Sequence, residues 1–283
     1  MVQVIGASTE VYGIIGWPVR HSLSPVMHNA ALAAAGRDAV YLAFEVPPER
    51  LKRAIKGAEG LGVRGLNLTI PHKEAALSMC HRLSGDALKV GAVNTLTFEQ
   101  GAVNGHNTDA PGFLKALAGP LGCDPRGARA LVLGAGGVAR AVIAALAGQG
   151  AGAIAIAART PGRAEVLLQQ LCGGAGTIVP WEPAAVATAL AGADLVISCL
   201  PPGATPPSLE ALPARAVVLD VTYGRDTALL ATARRVGACA ADGREMLVQQ
   251  GALAFELWTG QPAPVDAMRA AIRAALREES PAP

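Results

Sequence analysis

The sequence predicts an α/β protein folded as two domains. Three observations carry that expectation. The 283 residues suffice for two domains of ordinary size. Short apolar runs alternate with helically spaced stretches through the first hundred residues. A second run of strand, glycine turn and helix opens near Ala128.

In the first region, Val11 to Gly16 is an apolar run that ends in Trp17-Pro18, a strand followed by a loop. Pro25 to Ala35 has helical spacing, with Ser24 as the N-cap and Gly36 as the stop. Val40 to Val46 alternates as a strand, Pro48 to Leu61 is helical, and Arg64 to Thr69 is a third strand broken by Pro71. This rhythm predicts a mostly parallel sheet. A helix from Thr108 to Leu117 marks the junction. In the second region, strands fall at Ala128 to Leu133, Ala153 to Ala157, Asp194 to Cys199 and Ala216 to Val221, with a helix from Gly137 to Ala147. Helices return at Met246 to Trp258 and Val265 to Arg277, and Pro281-Ala282-Pro283 is expected to fray.

Composition excludes several function classes. A net charge of +2 and few aromatics give no general case for nucleic acid or an anionic membrane. The five cysteines, odd in number and widely spaced, form no zinc or disulfide framework and suit a reducing cytoplasm. The N-terminus shows no signal-peptide pattern. Ala141 to Ala158 carries no charge, but Gly148, Gly150 and Gly152 divide it into helix, turn and strand rather than a membrane span. The partners expected are a small-molecule substrate and, at most, a second copy of the chain in a homodimer.

Gly134-Ala135-Gly136-Gly137-Val138-Ala139 reads G-x-G-x-x-A, directly after an apolar strand and at a helix start. The first glycine allows the turn, the second lets the backbone approach a pyrophosphate, and the small last residue lets helix and strand pack closely. In that context the pattern predicts a Rossmann-type dinucleotide domain. An NAD site usually carries an acid at the end of the next strand to hold the ribose 2′-OH. Here stand Ala158, Arg159 and Thr160, with Arg163 beyond. Two guanidinium groups and no carboxylate favour the 2′-phosphate of NADP.

Polar residues cluster elsewhere on apolar backgrounds. Ser22 and Ser24 precede a helix. Asn67, Thr69 and Lys73 stand at the end of the third strand, Asn94 lies in Gly91-Ala92-Val93-Asn94-Thr95, and Asp109 closes Asn107-Thr108-Asp109. Together they offer hydroxyls, amides, one amine and one carboxylate, an inventory suited to a small polyhydroxylated acid.

These segments, with Gly16-Trp17-Pro18, His28-Asn29, Asp220 to Tyr223, Asp242-Gly243, Met246 to Gln250 and Phe255 to Gly260, resemble the shikimate dehydrogenase family in order and over nearly the whole chain. The resemblance implies an N-terminal substrate domain of residues 1–108 plus 245–283, an NADP-binding domain of residues 109–244, and an active-site cleft between them. It also implies reduction of 3-dehydroshikimate to shikimate in aromatic amino acid (chorismate) biosynthesis. Lys73 and Asp109 would be the acid–base pair. Ser22 and Ser24 would hold the substrate carboxylate, with Tyr223 nearby; Asn67, Thr69, Asn94 and Gln250 would bind ring hydroxyls or the carboxylate end. Val221 would lie along the cofactor, and Gly243 and Met246 would line the nicotinamide pocket. The chemistry agrees: an amine beside a ketone oxygen polarises it and supplies its proton, and a neighbouring carboxylate positions the amine. His21, His28, His72 and His106 are read as loop hydrogen-bonders without a chemical role.

The sequence departs from the family at Ala158, where Asn is usual, at Gly224-Arg225 after Tyr223, where proline is frequent, and at Glu245, where glycine is usual. Two other readings are a quinate/shikimate dehydrogenase using NAD or NADP, and, from another class, a non-catalytic NADP-binding sensor. A dehydrogenase acting on methylene-tetrahydrofolate is disfavoured by the lack of an aromatic-rich pteridine site.

Overall fold

The computed structural model describes residues 5–278, so the Pro281 to Pro283 tail lies outside the described residues. The chain forms two compact units. One comprises the chain up to Thr108 together with that from Leu247 on; the other is Asp109–Met246.

The first unit is built on β1 (Glu10–Gly16), α1 (Ser24–Ala34), β2 (Ala39–Glu45), α2 (Leu51–Gly60), β3 (Gly65–Leu68), β4 (Arg82–Leu83), α3 (Gly85–Val90), β5 (Thr95–Glu99) and β6 (Ala102–His106). Its six strands lie in the order β2-β1-β3-β5-β6-β4. The sheet is mostly parallel, as expected, but mixed: β4 also runs parallel to β6, and only β5 is reversed. Strand β1 runs parallel to β2 and β3, whereas β5 is antiparallel to both β3 and β6. The turn between β5 and β6 is Gln100-Gly101, both at positive φ (51° and 77°), as a two-residue hairpin turn of matching twist requires. Glutamine is an unusual residue there, which is why no turn signal marked the hairpin in the sequence.

Two helix starts also differ from expectation. Ser24 is the first residue of α1 rather than its N-cap; Leu23 takes the cap position with no side-chain bond. Instead the Ser24 N–H donates to the Ser22 hydroxyl at 3.2 Å. The stretch from Pro48 opens as a 3-10 turn over Pro48–Arg50 before α2 begins. Gly36, at φ 65°, ends α1 as a left-handed residue does.

The second unit contains α4 (Asp109–Ala118), β7 (Arg129–Leu133), α5 (Gly137–Gly148), β8 (Ala153–Ala157), α6 (Pro161–Cys172), β9 (Thr177–Val179), α7 (Pro183–Gly192), β10 (Leu195–Ser198), β11 (Val217–Asp220), α8 (Ala228–Val236) and β12 (Cys239–Asp242). Its strand order β12-β11-β10-β7-β8-β9 is fully parallel, the doubly wound Rossmann arrangement. Covered by helices, the strands are near-continuous apolar runs, and Leu131, Leu133, Val196 and Val218 form its core. The charge-free stretch after Arg140 becomes α5, a turn at Gly150 and β8. Among the described residues no helix is long and apolar enough to cross a membrane.

Helix α9 (Arg244–Thr259) is followed by α10 (Val265–Glu278), which packs on α1. Late in α9, Trp258 lies over the first sheet. Its indole N–H donates to the Leu96 carbonyl at 3.0 Å. A Cβ at Gly65 would overlap this ring, so the glycine in β3 is what lets the tryptophan seat. Gly65→Ala should therefore cost about 1–3 kcal/mol by overpacking. Gly57→Ala, in the exposed face of α2 where an added Cβ meets nothing within 4 Å, should instead gain about 0.5–1 kcal/mol. Urea unfolding of the two variants reads both signs.

Candidate functional site

In the first unit, Asn67 and Asn94 join Tyr41, Thr95 and Thr108 in one buried chain of hydrogen bonds. Asn67, in β3 at the middle of the sheet, is its hub. Its Oδ1 accepts from the Tyr41 hydroxyl at 2.7 Å, and its Nδ2 donates to the Thr95 hydroxyl at 3.0 Å and the Asn94 carbonyl at 3.2 Å. The Thr95 hydroxyl donates onward to Asn94 Oδ1 at 3.0 Å. Asn94 Oδ1 also accepts from the Thr108 N–H at 2.8 Å, and Asn94 Nδ2 donates to the Thr108 hydroxyl at 2.9 Å. These side chains are all buried, Thr95 completely. Each buried amide left unmatched would cost about 1–3 kcal/mol, so the chain of bonds fixes its members' rotamers.

The other candidates of this unit are Lys73, Thr69, Ser22, Ser24 and Gln250, and Asp109 opens the second unit. Lys73 is half-buried, and its carbonyl accepts from the Val93 N–H at 2.8 Å. Residue 73 is thus pinned to the neighbour of Asn94, and Thr108, bonded to Asn94, immediately precedes Asp109. Asp109 itself is buried at the start of α4. Thr69 is half-buried, with its N–H on the Ile15 carbonyl at 2.9 Å and its methyl against Gly16, where a Cβ would overlap it. Ser24 is buried at the start of α1, and Ser22 caps it as described. Gln250 is half-buried in α9 and donates to the Leu247 carbonyl at 2.8 Å.

The histidines divide. His28 is not in a loop; it lies in α1, stacked on Tyr41 with ring centres 4.4 Å apart, and its Nε2 meets no hydrogen-bond partner. His72 is buried and its Nε2 pairs with the Val46 carbonyl at 2.8 Å, a backbone-holding role. His106 meets the Thr97 hydroxyl at 3.3 Å from within β6.

In the second unit the candidates follow strands of one parallel sheet, so they share its C-terminal edge. Gly134 follows β7 at φ 105°; a Cβ there would sit 3.0 Å from the Cys199 carbonyl oxygen. Only glycine makes this turn easily. Ala135 is half-buried, Ala139 fully buried, and a Cβ on Gly136 or Gly137 would meet nothing within 4 Å. The open space at these two glycines, before a helix α5 whose N-terminus has no side-chain cap, fits a pyrophosphate against the backbone, with Val138 in the first turn. After β8 come buried Ala158 and exposed Arg159, Thr160 and Arg163. Val221 and Tyr223 follow β11, both half-buried. The turn before Tyr223 is shaped by Asp220, which accepts from the Thr222 N–H at 3.0 Å and the Thr227 hydroxyl at 2.7 Å. Gly243 follows β12; a Cβ there would overlap the Val221 carbonyl, and Met246 is buried just beyond.

Comparison with known proteins meets this geometry. Residues 14–96 match the model of the shikimate dehydrogenase substrate binding domain, 119–211 that of shikimate / quinate 5-dehydrogenase, and 243–273 that of the shikimate 5′-dehydrogenase C-terminal domain. Shikimate dehydrogenase (NADP(+)) of Methanopyrus kandleri is 47% identical, over 96% of this chain and 98% of its own. The chain belongs to the shikimate dehydrogenase family. The Moorella thermoacetica member is 44% identical over 100% of this chain and 99% of its own. Among solved structures, a shikimate dehydrogenase in complex with NADP+ superposes at a TM-score of 0.89 (37% identity, 97% of this chain, 98% of that one). The Thermus thermophilus shikimate dehydrogenase in complex with shikimate reaches 0.86 (38% identity, 95% and 100%).

For this shikimate dehydrogenase fold the sequence reading missed Tyr41, gave Thr95 no role of its own, and placed His28 in a loop. Tyr41 sits in an apolar alternation that reads as core, and its one signal was a hydroxyl in a strand otherwise without hydrogen-bonding side chains until Glu45. Burial lowers the His28 pKa from 6.5 to about 3. Below pH 6.5 the unfolded chain takes up a proton that the folded ring refuses until about pH 3, so His28 withdraws stability as pH falls through that window. The loss should approach about 2 kcal/mol between pH ~6.5 and ~5. Urea midpoints at the two pH values should show a steeper dependence for the native chain than for His28→Leu; equal slopes would remove His28 as the cause.

Proposed function

We propose that this chain catalyses the reversible NADP-dependent reduction of 3-dehydroshikimate to shikimate, in aromatic amino acid biosynthesis, with Lys73 and Asp109 handling the proton. The observation that carries the proposal is the buried polar chain: it binds Asn67, Asn94 and Thr108 together and pins Lys73 to the residue beside Asn94. Relatives named shikimate dehydrogenase (NADP(+)) match along nearly the whole length, which supports the reading.

When bound, NADPH supplies the hydride that reduces the ketone carbon. Gly134, Ala135, Gly136, Gly137 and Val138 would hold its pyrophosphate. Ala158, Arg159, Thr160 and Arg163 would receive the 2′-phosphate, with the guanidinium groups facing it through bidentate bonds. Val221, Gly243 and Met246 would border the nicotinamide.

The chain's own residues do the rest. The Lys73 ammonium donates to the carbonyl oxygen as it gains negative charge and delivers the proton that makes the alcohol. Asp109 orients that amine and accepts from a substrate hydroxyl. Ser22 and Ser24 take the substrate carboxylate, with Tyr223 nearby. Asn67, Thr69, Asn94 and Gln250 hold the ring hydroxyls and the carboxylate end. In the reverse direction Lys73 takes the proton back from the alcohol. The five free cysteines support a cytoplasmic location.

A steady-state assay of NADPH oxidation tests the reaction: oxidation must require 3-dehydroshikimate. Shikimate should be preferred over quinate, because Ser22 and Ser24 are both in place, and NADP+ over NAD+, because the cofactor strand ends without an acid. Lys73→Ala and Asp109→Ala should each lower kcat on the order of 100-fold or more while leaving NADPH affinity nearly unchanged. Near-native turnover in both variants refutes the pair.

A further inference from the structure

We infer that Tyr41 is a positioning residue for substrate: its hydroxyl sets the Asn67 amide so that Asn67 meets a substrate hydroxyl only as an acceptor. The inference deepens the proposed reaction and rests on it.

The hydrogen-bond inventory of Asn67 is nearly closed. Both Nδ2 protons are spent, one on the Thr95 hydroxyl and one on the Asn94 carbonyl. Oδ1 takes the Tyr41 proton at 2.7 Å. A carboxamide has two donors and two acceptor sites, so one lone pair on Oδ1 is what this arrangement leaves for a ligand. A ligand hydroxyl satisfies it; a ligand carboxylate or ketone does not. The direction of the bonds thus gives this position a chemical preference that an isolated asparagine lacks.

Tyr41 is held for the task from several sides. The side chain of Asn29, in α1, brackets its backbone, donating to the Tyr41 carbonyl at 2.9 Å and accepting from the Tyr41 N–H at 2.8 Å. His28, one residue earlier on the same helix, stacks on its ring with an interplanar angle of 8°. Trp258 tilts against it with ring centres 6.0 Å apart. Burial raises the phenol well above its ordinary pKa, partly offset by a hydrogen bond with Ser24, so the hydroxyl keeps its proton at working pH and remains a donor. Helix α1 therefore carries Ser24 at its start and, through Asn29 and His28, grips the tyrosine that orients Asn67 two strands away in the sheet. The carboxylate-binding and hydroxyl-binding candidates are joined through one side chain.

The test is Tyr41→Phe, which keeps the ring and its stack and removes the hydroxyl, with the Asn67→Ala background separating its bond to Asn67 from its bond to Ser24. Substrate KM should rise about tenfold, the weight of one hydrogen bond, with kcat and NADPH KM within about twofold of native. In an Asn67→Ala background the same substitution should change substrate KM by less than about twofold, since the group it positions is gone. Placing 3-fluorotyrosine at position 41, which retains the donor, should restore native KM. Four results would overturn the inference: an unchanged substrate KM, an equal rise in the Asn67→Ala background, a parallel rise in NADPH KM, or a Tyr41→Phe protein that does not fold. If the native enzyme reduces 3-dehydroshikimate, those results fall on Tyr41 alone. If it does not, the reaction and this role fail together.

Discussion

The constraint on which the first unit depends is that amide side chains placed inside a sheet must be fully hydrogen-bonded. Asn67 occupies a position in β3 where an apolar residue would be cheaper to fold. It is tolerated because Tyr41, Thr95 and Asn94 take up its donors and one acceptor site. That requirement propagates outward. Asn94 must then face Thr108, and the loop after α3 must run where Val93 meets the Lys73 carbonyl. A set of residues scattered from position 41 to position 108 is thereby brought into register by the cost of leaving any one of them unmatched. The packing of Trp258 against Gly65, His28 and Tyr41 closes the unit around this chain and fixes α9 on the sheet.

The second unit is governed by backbone rather than side-chain demands. A parallel sheet with helices on both faces buries its strands, so sequence freedom is greatest where strands end. Those ends hold the glycine turn after β7, the arginines after β8, and the turns after β11 and β12. Gly134 and Gly243 are there because carbonyl groups of neighbouring segments occupy the space of a Cβ. Gly136 and Gly137 are there for the opposite reason: nothing in the protein fills that space.

The sequence alone made the second unit legible because its signals are local. Apolar strands, a glycine turn and a missing acid can be read within thirty residues. The first unit was legible as an α/β region but not as a mixed sheet, since the β5–β6 reversal uses Gln100-Gly101 where Asn-Gly would have announced it. The Ser24 cap was misread because Pro25 already marks a helix start and the capping oxygen comes from Ser22 instead. Individual polar candidates were visible as hydroxyls and amides on apolar backgrounds. Their connection was not, because hydrogen bonds between residues 41 and 67, or 94 and 108, leave no periodic trace. Tyr41 was absorbed into a core pattern for the same reason.

The Asn67-centred chain is most directly tested by side-chain amide NMR of the 15N-labelled native protein. Both Nδ2 protons of Asn67 should exchange with solvent far more slowly than those of an exposed asparagine, because each has a buried protein acceptor. Rapid exchange of the two protons, or their averaging by rotation of the amide, would contradict the account.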